Sequence, residues 1–186
     1  MLVAADATDP NPATNEEIIG PFVNALNVEA IARDPFTGEL YGANQNNIGL
    51  INQDTGEYTR IGTTFGTATS ASAGISDVLG PVVALGFDPT NGDLLGVAQR
   101  AGEDVLFKID TATGTFVNDA FGVGEDFVLL DTAGAGAGPS TDDIAVDNTG
   151  RIFITTGAEL AEVIVTGNTS TAVSYTHLTL PTILRV

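Results

Sequence analysis

Apolar residues come in short runs along this chain, separated by clusters of Asp, Asn, Pro, Thr and Gly. Val28 to Arg33 is one run, Asp34-Pro35-Phe36-Thr37-Gly38 the break, and Leu40 to Ala43 the next run. The break is turn chemistry. Proline presets φ for a type I turn, aspartate accepts backbone N–H bonds, and glycine tolerates the left-handed conformation that closes a hairpin. The pattern returns at Val82 to Gly96 around Asp88-Pro89-Thr90-Asn91-Gly92. A shortened copy without the proline runs from Asp142 to Ile154 around Asp147-Asn148-Thr149-Gly150. Val82 to Phe87 has no polar side chain, which predicts a strand covered on both faces.

A second hairpin follows the first. Ile48 to Gly62, turning at Thr55-Gly56, matches Val105 to Val117, turning at Thr113-Gly114, with Ile51 on Ile109. The third copy continues through Glu159 to Val165, with Thr166-Gly167 at the turn. Read alone, Ala158 to Val165 suits a short helix; its place in the repeat favours a strand. The links Thr63 to Gly80 and Val123 to Thr141 are rich in Gly, Ala, Ser and Thr and read as loops. Four strands per unit, in two hairpins, describe a propeller blade, and each blade needs neighbours to cover its faces. The expected fold is all-β, an incomplete β-propeller of about three four-stranded antiparallel blades. The blade units lie roughly at residues 28–65, 82–122 and 142–172. A two-sheet sandwich is the rival and predicts alternating strands with one wet face.

The Asp-Pro-x-Thr-Gly-x-Leu-Tyr-Gly pattern at residues 34–42, with the Thr-Gly hairpin after it, resembles the blade repeats of secreted bacterial β-propellers of the NHL and YVTN type. The resemblance covers roughly residues 18–171. It implies a non-enzymatic binding or scaffold module of a secreted or cell-surface bacterial protein, with a protein or carbohydrate ligand. The alternative is a fragment of a calcium-dependent propeller hydrolase or lactonase. Such enzymes hold a divalent metal with Glu, Asp and Asn at the mouth of the central channel.

Both ends change the picture. Ile18 to Phe22 resembles the closing strand Arg60 to Phe65, so residues 18–26 read as the last strand of a preceding or shared blade. Neither a basic region nor an apolar segment follows Met1 as in a signal peptide. Residues 173–186 resemble the translation of a transposase-type sequencing adapter and read as a non-native tail. Residues 1–172 then read as a piece of a longer propeller, with open blade ends prone to self-association.

Lys and Arg number 6 against 24 Asp and Glu, a formal net charge of −18, and Lys108 is the only lysine. Nucleic acids and anionic membranes require basic patches, so neither is an expected partner. No apolar run approaches the roughly 20 residues of a membrane-spanning helix.

The chain has no cysteine, and its single histidine, His177, falls in the tail. Ser–His–Asp and Cys–His triads and zinc–thiolate sites are therefore excluded from the remainder. Carboxylates are left. Asp34, Asp88, Asp110 and Asp147 suit either calcium ligation or hairpin capping, and their recurrence at one turn position favours capping. Glu29, Asp142 and Asp143 sit at the entry of the innermost strands, where the middle copy has Val83. They are the candidate metal ligands, and calcium is the only cofactor they suggest. The cluster Asn44, Gln45, Asn46 and Asn47 suits sugar hydroxyls. Gly134 to Gly138 lacks the Lys-Ser or Lys-Thr of a phosphate loop and reads as a link between blades.

Overall fold

The computed structural model describes residues 3–5, 16–18, 28–100, 103–130, 141–156, 159–165 and 173–177. The described elements are strands and turns. An antiparallel pair, β1 (Val3–Ala5) and β2 (Glu16–Ile18), comes first. Ile18 lies in that pair opposite Val3, and the rest of the expected closing strand at 18–26 lies outside the described residues.

Blade 1 is the meander β3 (Ala30–Arg33), β4 (Leu40–Asn44), β5 (Asn47–Ile51) and β6 (Tyr58–Ile61), each strand paired antiparallel with the next. A further hairpin follows, β7 (Thr67–Ser70) and β8 (Ile75–Val78). Blade 2 runs through β9 (Val82–Phe87), β10 (Leu94–Ala98) and β11 (Asp104–Asp110). Its fourth position is shared: β12 (Thr115–Phe116) pairs with one end of β11, and β13 (Phe127–Leu130) with the other. Blade 3 is β14 (Thr141–Val146), β15 (Ile152–Thr156), β16 (Glu159–Val165) and β17 (Val173–His177). The segment 159–165 is a strand, as its place in the repeat predicts. Val173–His177, read from sequence as part of the tail, occupies the outer position beside β16.

Blade order follows chain order, and the innermost strands are neighbours. β9 packs against β3 and β4 on one side and against β14 on the other. This radial stacking of antiparallel meanders makes the fold an incomplete β-propeller. Each internal junction has its own core. Tyr41, Ala43 and Ile48 of blade 1 meet Leu85, Phe87 and Phe107 of blade 2. Ala84, Val97 and Leu106, from the opposite side of blade 2, meet Ile144, Ile154 and Val163 of blade 3. Blade 2 is therefore apolar on both faces, as the run Val82 to Phe87 predicts. Edge-to-face ring pairs strengthen the first junction: Tyr41 with Phe87 at 5.4 Å and Phe65 with Phe107 at 5.2 Å between centroids.

Two links are not loops. Residues 63–80 carry the β7–β8 hairpin, and residues 123–141 carry β13, whose four residues are all buried. In both cases long-range pairing overrides a composition rich in small residues. β13 borders β11, and the hairpin docks on the turn just before β13.

At the periphery, the backbones of blades 1 and 2 approach closely. Gly62 (φ +61°) and Gly114 (φ +70°) lie so close that a Cβ on either would collide with a carbonyl of the other blade, Thr113 O or Ile61 O. Gly62→Ala adds both that collision and a left-handed strain of about 1–3 kcal/mol. The variant is expected to unfold at lower urea concentration with an unchanged m-value, measured by circular dichroism.

Candidate functional site

The turn aspartates cap. In the Asp34 turn, Oδ1 accepts from the N–H groups of Phe36 (2.7 Å) and Thr37 (3.2 Å), while Gly38 N–H donates to the Asp34 carbonyl (2.9 Å). Asp88 accepts from Thr90 N (2.8 Å), Asp110 from Ala112 N (2.8 Å), and Asp147 from Thr149 N (2.8 Å) and Arg151 N (3.0 Å). Asn52 does the same at the Thr55-Gly56 turn, accepting from Asp54 and Thr55 N–H at 2.9 Å each. The closing glycines Gly38, Gly56, Gly92, Gly114 and Gly150 all have φ between 70° and 84°. Capping accounts for these carboxylates through bonds they already make.

The candidate ligands Glu29, Asp142 and Asp143 are all exposed. Two of the inner strands carry a bulge where they begin. Val82 and Ala84 face Ala98 and Val97, leaving Val83 extra; Thr141 and Asp143 face Thr156 and Thr155, leaving Asp142 extra. Glu29 holds the matching place before β3, its N–H donating to Ala43 O at 3.0 Å. Glu29, Val83 and Asp142 are thus equivalent positions, and Asp143 matches Ala84, one position further into the strand. Among the described residues no three acidic or imidazole groups converge in a way that would hold a metal ion. Asp143 Oδ1 accepts from Ile144 N–H (2.9 Å).

The amide cluster divides into two roles. Gln45 and Asn46 form the two-residue turn between β4 and β5. Their carbonyls accept from Val82 N (2.7 Å) and Phe65 N (2.9 Å), fixing the start of blade 2. Asn44 and Asn47 pair across the hairpin and line a cleft of about 460 Å3 with Glu57, Tyr58, Thr59 and Arg60. Tyr58 is its floor. The ring lies where a Cβ on Gly49 would be, and its hydroxyl donates to Asn47 Oδ1 (2.8 Å). Asn47 Nδ2 in turn donates to Asn44 O (2.7 Å). Burial pushes the Tyr58 hydroxyl up to about 12, against the pull of Arg60, so the phenol stays neutral and keeps donating.

The cleft faces away from blade 2, on what we call the leading face of blade 1. The repeat places it against the leading face of blade 2, which packs on blade 1. There the counterparts of Asn44, Asn47 and Gly49 are Ala98, Val105 and Phe107, each no more than 1% exposed. Blade 1 thus has amides and a glycine where blade 2 has packed apolar side chains.

Two buried features escaped the sequence reading. Glu125 and Asp126 are 3% and 8% exposed and clamp the β7–β8 hairpin. Glu125 accepts from Ser70 Oγ (2.6 Å) and Ser72 N (2.6 Å); Asp126 accepts from Thr69 N (2.7 Å) and Asp119 N (2.9 Å). Asp104, also buried, accepts from Thr141 N (2.7 Å) and ties blade 2 to blade 3. Burial raises the Asp104 carboxyl above its ordinary value, and the Thr141 hydrogen bonding only partly offsets this. The signal for the clamp was the pair of acids directly before the apolar run Phe127 to Leu130.

No protein-family model matches the chain, and no curated protein sequence matches it. Among solved structures it is similar to hydrazine synthase of Kuenenia stuttgartiensis, with 12% identity over 87% of this chain and 38% of that one, TM-score 0.44. It is similar to an auxiliary nutrient binding protein from Bacteroides ovatus, with 16% identity over 83% and 32% of the two chains, TM-score 0.49. A virginiamycin B lyase from Staphylococcus aureus gives 12% identity over 84% and 71%, TM-score 0.33. The chain spans well under two thirds of the length of the first two. Its assignment as an incomplete propeller rests on its own strand order and blade packing.

Three turn carboxyls are held below their ordinary values. For Asp34, burial acts upward, but the hydrogen bonds from Phe36 and Thr37 and the Arg33 charge outweigh it. For Asp110 the Ala112 N–H bond leads, and for Asp147 the Thr149 hydroxyl bond. A carboxyl depressed by folding contributes stability above its unfolded pKa and loses it as pH falls through the folded value. Melting temperature is therefore expected to drop as pH falls below about 4. The triple variant D34N/D110N/D147N is expected to melt lower near neutrality and to flatten that dependence. A second expectation concerns the clamp: Glu125→Ala removes the acceptor of the buried Ser70 hydroxyl, a loss of about 1–3 kcal/mol. Faster amide hydrogen exchange confined to residues 67–78 would report it.

Proposed function

We propose that this chain is a non-catalytic binding module of the bacterial cell exterior, and that it takes a hydroxyl-rich, saccharide-type ligand in the Asn44–Asn47–Tyr58 cleft. The observation that carries the reading is the exchange at repeat-equivalent positions. Where blade 2 fills its leading face with Val105 and Phe107, blade 1 has Asn47 and Gly49, with Tyr58 laid over the glycine. Amides and a carboxylate offer donors and acceptors together, Arg60 adds donors, and a phenol ring supplies an apolar floor. That combination matches the alternating hydroxyl and C–H surfaces of a sugar. The acid-rich composition, with its solubility, suits an exterior location.

Calorimetric titration with a panel of neutral oligosaccharides tests this. Binding is expected, with Asn47→Ala and Tyr58→Phe each weakening it at least about tenfold. Absence of binding across the panel, or binding untouched by both substitutions, overturns the reading.

The calcium-dependent hydrolase remains a second proposal, supported by the equivalent places of Glu29 and Asp142 at the entry of inner strands, with Asp143 next along the chain. It predicts calcium uptake in the same calorimeter, lost in E29A/D142A/D143A. Unchanged heats in that variant would sink it.

A further inference from the structure

We propose that Asn91 converts without an enzyme to aspartate and isoaspartate, through a cyclic imide formed with the Gly92 nitrogen. The change loosens the first turn of blade 2 from blade 1. It concerns a turn inside the fan and is independent of the ligand reading.

The turns that close on Gly38, Gly56, Gly92, Gly114 and Gly150 differ in the residue before the glycine. It is Thr37, Thr55, Thr113 and Thr149 in four of them, and Asn91 in the fifth. At three of these turns that side chain accepts a bond from two residues on. Thr37 Oγ1 accepts from Glu39 N–H (3.2 Å), Thr55 Oγ1 from Glu57 N–H (3.3 Å), and Asn91 Oδ1 from Asp93 N–H (2.8 Å). A threonine hydroxyl is chemically inert in that place. A carboxamide carbon is an electrophile, and Asn91-Gly92 is the only Asn-Gly pair in the sequence.

The Asp93 bond serves the chemistry twice. It folds the carboxamide into a ring of chain atoms that includes the Gly92 nitrogen, which holds nucleophile and electrophile together. It also places an N–H on the oxygen that gains negative charge when the nitrogen adds. Gly92 has no Cβ to obstruct the approach, and Asn91 is exposed to water. The Gly92 N–H donates to Asp88 O (2.8 Å) and leaves it before attack, so opening of the turn precedes reaction. Asn52 is the internal comparison. Its Oδ1 accepts from Asp54 N–H (2.9 Å) in the same way, but Gln53 follows it.

The step needs no co-reactant but water. The Gly92 nitrogen gives its proton to hydroxide and bonds to the Asn91 side-chain carbonyl carbon. The amide nitrogen takes a proton from water and leaves as ammonia. Water then opens the imide at either carbonyl. Opening at the side-chain carbonyl gives aspartate. Opening at the main-chain carbonyl gives isoaspartate, with an extra carbon in the main chain. Both products place a new carboxylate between Asp88 and Asp93, whose own carboxylate is paired with Lys108 (2.6 Å). Phe36 of blade 1 lies against Gly92, with ring atoms 3.4 and 3.5 Å from where a Cβ would be. The extra carbon shifts Gly92 off that ring.

Peptide mapping of the full chain by mass spectrometry, during incubation at mildly alkaline pH, tests the proposal. Asn91 is expected to gain the mass of an amide-to-acid exchange at least about tenfold faster than Asn52. The product is expected to resolve into aspartate and isoaspartate, both carrying heavy oxygen from labelled water. The aged chain is expected to melt below the fresh one. Asn91→Thr restores the residue of the other turns and is expected to keep its melting temperature through the same incubation. Conversion at Asn91 no faster than at Asn52, aspartate without isoaspartate, or an unchanged melting temperature after conversion would each overturn the proposal.

Discussion

A β-sheet whose two faces are both apolar must be covered on both, and blade 2 is such a sheet. Everything else is arranged around meeting that demand. Phe107 and Leu106 are neighbours on one strand and point to opposite sides, one into each junction core. Full burial of each is worth roughly 1.5–3 kcal/mol. Neither core exists without the flanking blade, so blades 1 and 3 fold as covers for blade 2 as much as in their own right. Polar tethers at the rim set the register of this stack. Gln45 and Asn46 carbonyls hold Val82 and Phe65 on one side, and Asp104 holds Thr141 on the other.

The blade hairpins were legible from sequence because their information is local. Asp34 and Gly38, or Asp88 and Gly92, meet within one turn, and a carboxylate with a left-handed glycine specifies that turn without help from elsewhere. The run Val82 to Phe87 was equally plain, since a strand without polar side chains has no wet face. The β7–β8 hairpin was not legible. Thr67–Ser70 has neither alternation nor bulk, and it becomes a strand only because Glu125 and Asp126, more than fifty residues away, receive its backbone and hydroxyl donors. β13 was hidden for a related reason, as its apolar run lies between small-residue segments that read as links.

The cleft was half legible. The amides of Asn44 and Asn47 stand out in sequence, but Tyr58 reads as an ordinary strand residue until the pairing of Ile51 with Tyr58 brings its ring over Gly49. A comparison of repeat positions held more than composition did. Asn47 against Val105 and Gly49 against Phe107 mark a face released from packing, and that contrast needs only the register between copies. The rim acids show the opposite case. Glu29 and Asp142 occupy equivalent positions at the strand entries, yet convergence of side chains depends on the separation between blades, which the repeat alone does not encode.

The close backbone approach at Gly62 and Gly114 has a geometric meaning beyond its strain. Blades in a propeller are plates fanned about an axis, and the thickness of material between their outer edges sets the wedge angle. With no Cβ at either glycine, adjacent plates stand close at the circumference. A substituent there would act as a shim, widening each wedge and lowering the number of plates that complete the circle. Two glycines at the outer edge thus bear on the angle between blades 1 and 2.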